Sequence, residues 1–313
     1  MATLALLLCA IIGGGAHAET SSPRVSDWTV VTSLLIVQSH RGAGVLAAEN
    51  TTAAFEMGWK LGTYPEGDIR VTTDGSIVTF HDATFKRVTR EVPPELSDKG
   101  VADVTYDTLR KLEVGEWKGE QFVGHQVPRL SDVFELMRGH PERHLYMDIK
   151  NVKLPQLAAL VKEYGVGAQV VLASPKHAII RHWKKLVPDS DTLLWIHGTE
   201  AEITALLNAA RKDNYEGITQ VQLHVQMKMD PNTIKRESME PFNLSDEFLL
   251  KAGQELRSRG IVFQTLPYDA ASREIYWKLL DLGVMSFATD HPDTTMDALR
   301  EYYTMTKQRK AAQ

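Results

Sequence analysis

Cysteine is nearly absent from the 313-residue chain: Cys9 is the only one. It lies in an apolar leading stretch, so the rest of the chain is expected to hold no disulfide, thiolate nucleophile or cysteine-ligated zinc. An excess of basic charge is missing too. Lys and Arg number 35 against 40 Asp and Glu, a formal charge of −5, which argues against general nucleic-acid binding, because a phosphate backbone calls for a basic face. Collagen, heptad and solenoid repeats are absent, and a hydrophobic content of 43% excludes intrinsic disorder.

Long apolar runs are lacking as well. The nearest is residues 4–12, within a stretch from Ala2 to Ala18 that has no Lys, Arg, Asp or Glu and ends Ala16-His17-Ala18 before Glu19. It is too short to span a bilayer comfortably. Its small-residue ending reads as a secretory signal peptide cleaved after Ala18. Residues 19–313 are then expected to form a single domain, secreted or periplasmic.

What the chain does have is alternation. Short apolar runs at 34–39, 66–72, 144–150, 169–174, 191–196, 218–224, 260–265 and 284–288 read as strands. Helical patterns lie between most of them: 53–61 after Thr51 and Thr52, 154–164 before Gly165, 176–186 before Pro188, 201–212 after Thr199, and 246–259 after Ser245. Ile275, Leu279 and Leu282 form a last stripe before Gly283. Eight strands with intervening helices predict an α/β fold, a (β/α)8 TIM barrel. The rhythm lapses between Thr72 and His144, which reads as an insertion after strand two with its body at about 83–125. A shorter interruption, 224–243, carries Met227, Met229 and Met239 and is expected to lie over the barrel mouth.

In such barrels functional side chains sit at the C-terminal ends of strands. The first strand ends His40-Arg41-Gly42, and the second carries Glu66 and Asp68, two apart and so on one face. Too few residues separate Glu66 from His81 for a crossover helix and another parallel strand. Thr73-Asp74-Gly75-Ser76 therefore predicts a hairpin. A two-residue Asp74-Gly75 loop would set Thr73 opposite Ser76 and His81 opposite Asp68. The third strand puts Tyr146, Asp148 and Lys150 on one side. A barrel strand buries both faces, and clustered buried carboxylates need a cation or donors. The remaining histidines, His197 and His224 among them, read as structural or solvated.

These residues together resemble the glycerophosphodiester phosphodiesterase family of phospholipase-C-like barrels. The resemblance rests on His40-Arg41-Gly42, Glu49-Asn50-Thr51, Glu66-x-Asp68, Thr73-Asp74-Gly75, His81-Asp82, Val127-Pro128-Arg129-Leu130, Asp148-Ile149-Lys150, and Thr289-Asp290-x-Pro292. It implies His40 and His81 as the acid–base pair. It also implies Glu66, Asp68 and Asp148 as ligands of one divalent cation, and Arg41 and Lys150 on the substrate phosphate. All-oxygen ligands suit Ca2+ or Mg2+. The implied reaction is hydrolysis of a small glycerophosphocholine-like diester to sn-glycerol 3-phosphate and an alcohol, the base activating the glycerol 2-hydroxyl. The alternative is a lysophospholipid or sphingolipid phosphodiesterase, phospholipase-D-like, that forms a cyclic phosphate and touches a lipid surface.

The chain departs from the family pattern in four places. Asp148 stands where Glu is usual, Ala48 replaces a proline, and Pro65 and Gly67 interrupt strand two. Gln264-Thr265-Leu266-Pro267 replaces W-T-x-N on strand seven, where the glycerol or leaving group is expected to be lined.

Overall fold

The computed structural model describes residues 36–311, so the expected signal peptide, with Cys9, lies outside the described residues. Nine strands form one sheet: β1 (Val37–Ser39), β2 (Tyr64–Val71), β3 (Ile77–Thr79), β4 (Leu145–Ile149), β5 (Val170–Ser174), β6 (Asp191–Ile196), β7 (Gln220–Val225), β8 (Val262–Pro267) and β9 (Ser286–Thr289). Their order is β1-β9-β8-β7-β6-β5-β4-β2-β3, and parallel pairing of β1 with β2 closes the ring. Only β3 is antiparallel; it hangs on β2 outside the closed barrel. The eight barrel strands coincide with the eight runs read from the sequence, and the fold is a (β/α)8 barrel.

The nine α-helices of the described residues are α1 (Thr52–Lys60), α2 (Tyr106–Leu109), α3 (Leu130–Met137), α4 (Leu154–Tyr164), α5 (His177–Leu186), α6 (Glu200–Lys212), α7 (Asp246–Ser258), α8 (Arg273–Asp281) and α9 (Pro292–Ala311). Helix α4 shows how local sequence makes a wall. Leu154, Leu157, Ala158 and Val161 recur at helical spacing and are the buried face. Gly165 stops the helix at φ +68°, a left-handed cap whose N–H bonds the Lys162 carbonyl. Leu157 is fully buried against the barrel-side cluster, so Leu157→Ala would remove about 2–5 kcal/mol. Among the described residues no helix is long and apolar enough to cross a membrane.

The apolar core lies between the strands and the helix ring. The barrel interior is unusually polar. Gln38, Gln220, Gln222, Gln264 and Ser286 are all buried inside it, and each buried amide must find a partner. The Tyr146 hydroxyl donates to Gln220 at 2.5 Å. Gln264 bonds Ser286 at 2.9 Å and also Gln222, while Gln222 donates to Gln38 at 3.2 Å. Gln264 therefore does not line the cleft at the barrel mouth as its segment was expected to. It is fully buried, and the next residue on its face, Leu266, reaches the cleft instead.

Three further readings are corrected. The hairpin is one residue out of the expected register: Val71 pairs with Ile77 and Ile69 with Thr79. The cause is a three-residue loop. Thr72 and Ser76 close around Thr73-Asp74-Gly75, with Gly75 at φ +84° and the Thr72 hydroxyl bonded to Asp74. Phe80, not His81, then bonds the Asp68 backbone, its N–H donating to the Asp68 carbonyl at 2.8 Å. Secondly, α3 lies within the stretch read as an insertion but is a helix of the barrel's own outer ring, packing on α4, β3 and α1. The rest of that stretch builds a separate apolar cluster around Phe80, Phe85, Leu109 and Val127. Thirdly, strand β2 runs unbroken through Pro65 and Gly67, and a Cβ on Gly67 would sit 3.2 Å from the buried Phe55 ring and 3.3 Å from Thr79. Glycine lets α1 and the hairpin close on the strand.

Candidate active site

At the C-terminal end of the barrel a cleft of about 240 Å3 is lined by His40, Arg41, Glu66, His81, Asp148 and Lys150 among others. Asp68, only 1% exposed, lies behind them. The structure thus brings together all seven residues singled out from the sequence.

His40 follows β1, and its N–H continues the ladder to the Thr289 carbonyl at 3.0 Å. Its Nδ1 lies 2.7 Å from Asp290 Oδ1, which leaves Nε2 for the cleft. Asp290 is itself fixed, since its carbonyl accepts from Val45 N–H at 2.8 Å. Burial lowers the proton affinity of His40, but the Asp290 hydrogen bond and the charges of Glu66 and Asp290 outweigh it and raise the pKa above the ordinary value.

His81 is built the same way. Strand β3 ends at Thr79, and the chain beyond it carries His81 to the cleft despite the shifted register. Its Nδ1 lies 2.6 Å from Asp82 Oδ1. Arg87 grips Asp82 with Nε at 2.6 Å and Nη2 at 2.9 Å, and grips Glu49 with Nη1 at 2.7 Å and Nη2 at 2.6 Å. Burial would raise Asp82, but Arg87 and His81 hold its carboxyl below the usual range.

The carboxylate cluster gathers at the same cleft. Asp68 and Asp148 are direct partners in the β2–β4 register. One oxygen each of Glu66, Asp68 and Asp148 lies within 4.8 Å of the others. Asn50 clamps Asp68 twice, donating to Oδ2 at 2.8 Å and accepting from its N–H at 3.0 Å. Lys150 Nζ lies 2.9 Å from Asp68 and 2.6 Å from Asp148. Arg41, at φ +52°, donates its N–H to Glu66 at 2.8 Å and Nη1 to Glu49 at 3.1 Å. Its buried Nε has no hydrogen-bond partner among the described residues and lies 3.9 Å from Asp68 Oδ2.

The electrostatics call for a cation. Burial, then the Asp68 charge, pushes Glu66 up to about 8. Burial also raises Asp148 against the pull of Lys150, whereas Asp68 is held down by Lys150, His81 and Asn50 despite burial. Lys150 pairs with Asp68 and the partly buried Asp148, while the buried Glu66 has only the Arg41 N–H, and desolvated charge of one sign is costly unless compensated. An all-oxygen set with one oxygen per residue converging on a point fits a hard divalent cation.

Sequence reading gave no role to Asp82, Asp290, Glu49, Asn50 or Arg87. Adjacency to His81 was a usable signal for Asp82; nothing along the chain marks Arg87. His197 and His224, read as structural or solvated, line a second cleft with Trp195 and Tyr268.

A (β/α)8 barrel with acids, bases and cations gathered at its mouth has the arrangement of a barrel enzyme's active site. The particular family follows from comparison. Residues 40–294 match the model of the glycerophosphoryl diester phosphodiesterase family, and the chain belongs to that family, whose members are phosphoric diester hydrolases. It is 27% identical over 275 residues to a glycerophosphodiester phosphodiesterase of Caldanaerobacter subterraneus, covering 85% of this chain and 98% of that one. It is 28% identical to human lysophospholipase D GDPD1, covering 84% of this chain and 86% of the other. Among solved structures it superposes on a glycerophosphodiester phosphodiesterase of Agrobacterium tumefaciens with TM-score 0.60 at 21% identity, covering 84% and 99% of the two chains. An Oleispira antarctica phosphodiesterase in complex with the product sn-glycerol-3-phosphate gives TM-score 0.62 at 18% identity, covering 86% and 98%.

Proposed function

We propose that this protein hydrolyses glycerophosphodiesters to sn-glycerol 3-phosphate and an alcohol, with His40 and His81 as the acid–base pair. The observation that carries the reading is a three-carboxylate cluster gathered at one cleft with two histidines whose Nδ1 atoms are each held by a carboxylate. Glu66, Asp68 and Asp148 would hold one divalent cation, Ca2+ or Mg2+, which when bound neutralises charge on the phosphate as a Lewis acid.

The protein's own groups do the rest. Lys150 and Arg41, which both line the cleft, hold phosphate oxygens. His81, oriented by Asp82, takes the proton of the attacking hydroxyl at Nε2. His40, whose hold on its proton is strengthened by Asp290, gives its Nε2 proton to the departing alcohol oxygen. Arg87 compensates the charge of Asp82 and Glu49 and so keeps Asp82 a hydrogen-bond acceptor for His81.

One observation favours the lipid alternative. Met239 is 86% and Met229 44% exposed on the 226–243 loop that follows β7 at the mouth, while Ile234 and Phe242 anchor it in the core. A lysophospholipid could rest its chain there. We likewise propose export, on the uncharged stretch from Ala2 to Ala18; a mature protein beginning at Glu19 on N-terminal sequencing would support it, and an intact leader would refute it.

The test is the purified mature protein on glycerophosphocholine and on lysophosphatidylcholine, each with EDTA, Ca2+ or Mg2+. Metal-dependent glycerol 3-phosphate from the first is the expected outcome; turnover of the lysolipid alone would favour the alternative. His40→Ala and His81→Ala should each abolish turnover while cation binding survives, and an active double variant would refute the assignment.

A further inference from the structure

Beside the phosphate cleft, and sharing Trp195, His224 and Tyr268 with it, lies a wider cleft of about 700 Å3. One surface of it is aromatic. Trp195, His197 and His224, from the mouth ends of β6 and β7, hold their rings within 11° to 27° of parallel, with centroids 5.4 to 6.0 Å apart. Tyr268, just beyond β8, stands at 87° to the His224 ring with centroids 5.4 Å apart. Three near-parallel rings and one upright ring make a corner.

His224 offers that corner a neutral face. Its Nε2 lies 3.0 Å from the Gln222 carbonyl oxygen, which can only accept, so Nε2 carries the proton. Its Nδ1 then accepts from the Tyr268 hydroxyl at 2.8 Å. Burial first, and the nearby His197 and His40, bring its pKa down to about 4.

What the remaining wall contains, and what it omits, narrows the ligand. Glu200 and Glu202 line it, and among the described residues no Lys, Arg, Leu, Ile, Val or Met does. An acyl chain would find no aliphatic partner there, and an anionic head group would meet carboxylates and the negative faces of rings. A positively charged, weakly hydrated group is what aromatic faces attract.

We propose that this cleft receives the alcohol half of the diester and selects a quaternary ammonium alcohol of the choline class, seated in the corner of Trp195 and Tyr268. The proposal rests on reading the adjoining cleft as a phosphodiesterase site. Trp195, His224 and Tyr268 line both clefts, so the aromatic corner adjoins the place where a phosphate would meet Arg41 and Lys150.

The test compares binding of free choline with that of its uncharged carbon isostere 3,3-dimethylbutan-1-ol, by ligand-observed NMR titration of the full mature protein. Choline should bind about tenfold more tightly than the isostere, the scale of a cation–π contribution. Tyr268→Leu and His197→Leu should each reduce that preference several-fold. Both side chains are exposed, and a thermal melt confirms that the variants fold. Equal affinity for the two probes, or choline binding that survives both substitutions, would overturn the proposal. Hydrolysis of glycerophosphoglycerol, whose alcohol half is uncharged, is followed in parallel. Turnover of that diester without charge-selective choline binding overturns the choline subsite and leaves the phosphodiesterase standing. Charge-selective binding without turnover of any diester does the reverse.

Discussion

Removing the charge of Glu66 should make the metal-free protein more stable, by an amount that grows with pH. Burial, with the Asp68 charge adding to it, lifts the Glu66 pKa from 4.5 to about 8. Because the fold binds this proton more tightly than the unfolded chain does, the stability it contributes is fully present below pH 4.5 and is lost as pH rises through about 8. At about 1.4 kcal/mol per pKa unit, the loss at pH 9 is on the order of 5 kcal/mol. Glu66→Gln mimics the protonated form and keeps an oxygen to accept the Arg41 N–H. The assay is urea unfolding of both proteins in EDTA at pH 5 and pH 9. At pH 5 they should nearly coincide, and at pH 9 the variant should lead by several kcal/mol, since groups common to both cancel in the difference. Ca2+ or Mg2+ at pH 9 should restore the wild-type protein and help the variant far less. A wild-type-to-variant difference that stays flat with pH would refute the reasoning.

Two further substitutions probe the groups around His40. Asp290→Asn keeps an acceptor oxygen but removes the charge that helps raise the His40 pKa against its burial, so kcat should fall by about 10²–10⁴-fold and the alkaline limb of the pH–rate profile should move to lower pH; a limb that does not move would remove Asp290 from the proposed role. Gly44→Ala acts on the same residue from behind. Gly44 has φ +56° and its Cβ would fall 2.1 Å from the Asp290 carbonyl oxygen, so about 1–3 kcal/mol of stability and most of kcat should be lost together, and wild-type melting with wild-type kcat would show that the close approach does not matter.

Much of the scaffold was legible along the chain because its signals are local. Apolar runs bounded by Gly165, Pro188, Gly260 and Gly283, and caps such as Thr199 with Glu202, mark strands and helices within a few residues of themselves. The alternation that put Glu66 and Asp68 on one face, and Asp148 and Lys150 on another strand's same side, is also local. The hairpin shows where such reading stops. Asp74-Gly75 does mark a turn, but whether two or three residues form it depends on Thr72 bonding both Asp74 and Ser76, and that single residue sets the whole register.

The sequence by itself determined the barrel, the mouth at which His40, Glu66, Asp68, His81, Asp148 and Lys150 collect, and the hard-cation character of three carboxylates without a thiol. Each follows from residue type and short-range periodicity. Only the tertiary structure decided who holds whom. His40 is held by Asp290, 250 positions away, because closure of β1 against β9 makes them neighbours. Arg87 joins Glu49 to Asp82 across the inserted segment. Four rings from the ends of three strands form one corner. Such contacts are chosen by ring closure and packing between distant segments, and no local pattern encodes them.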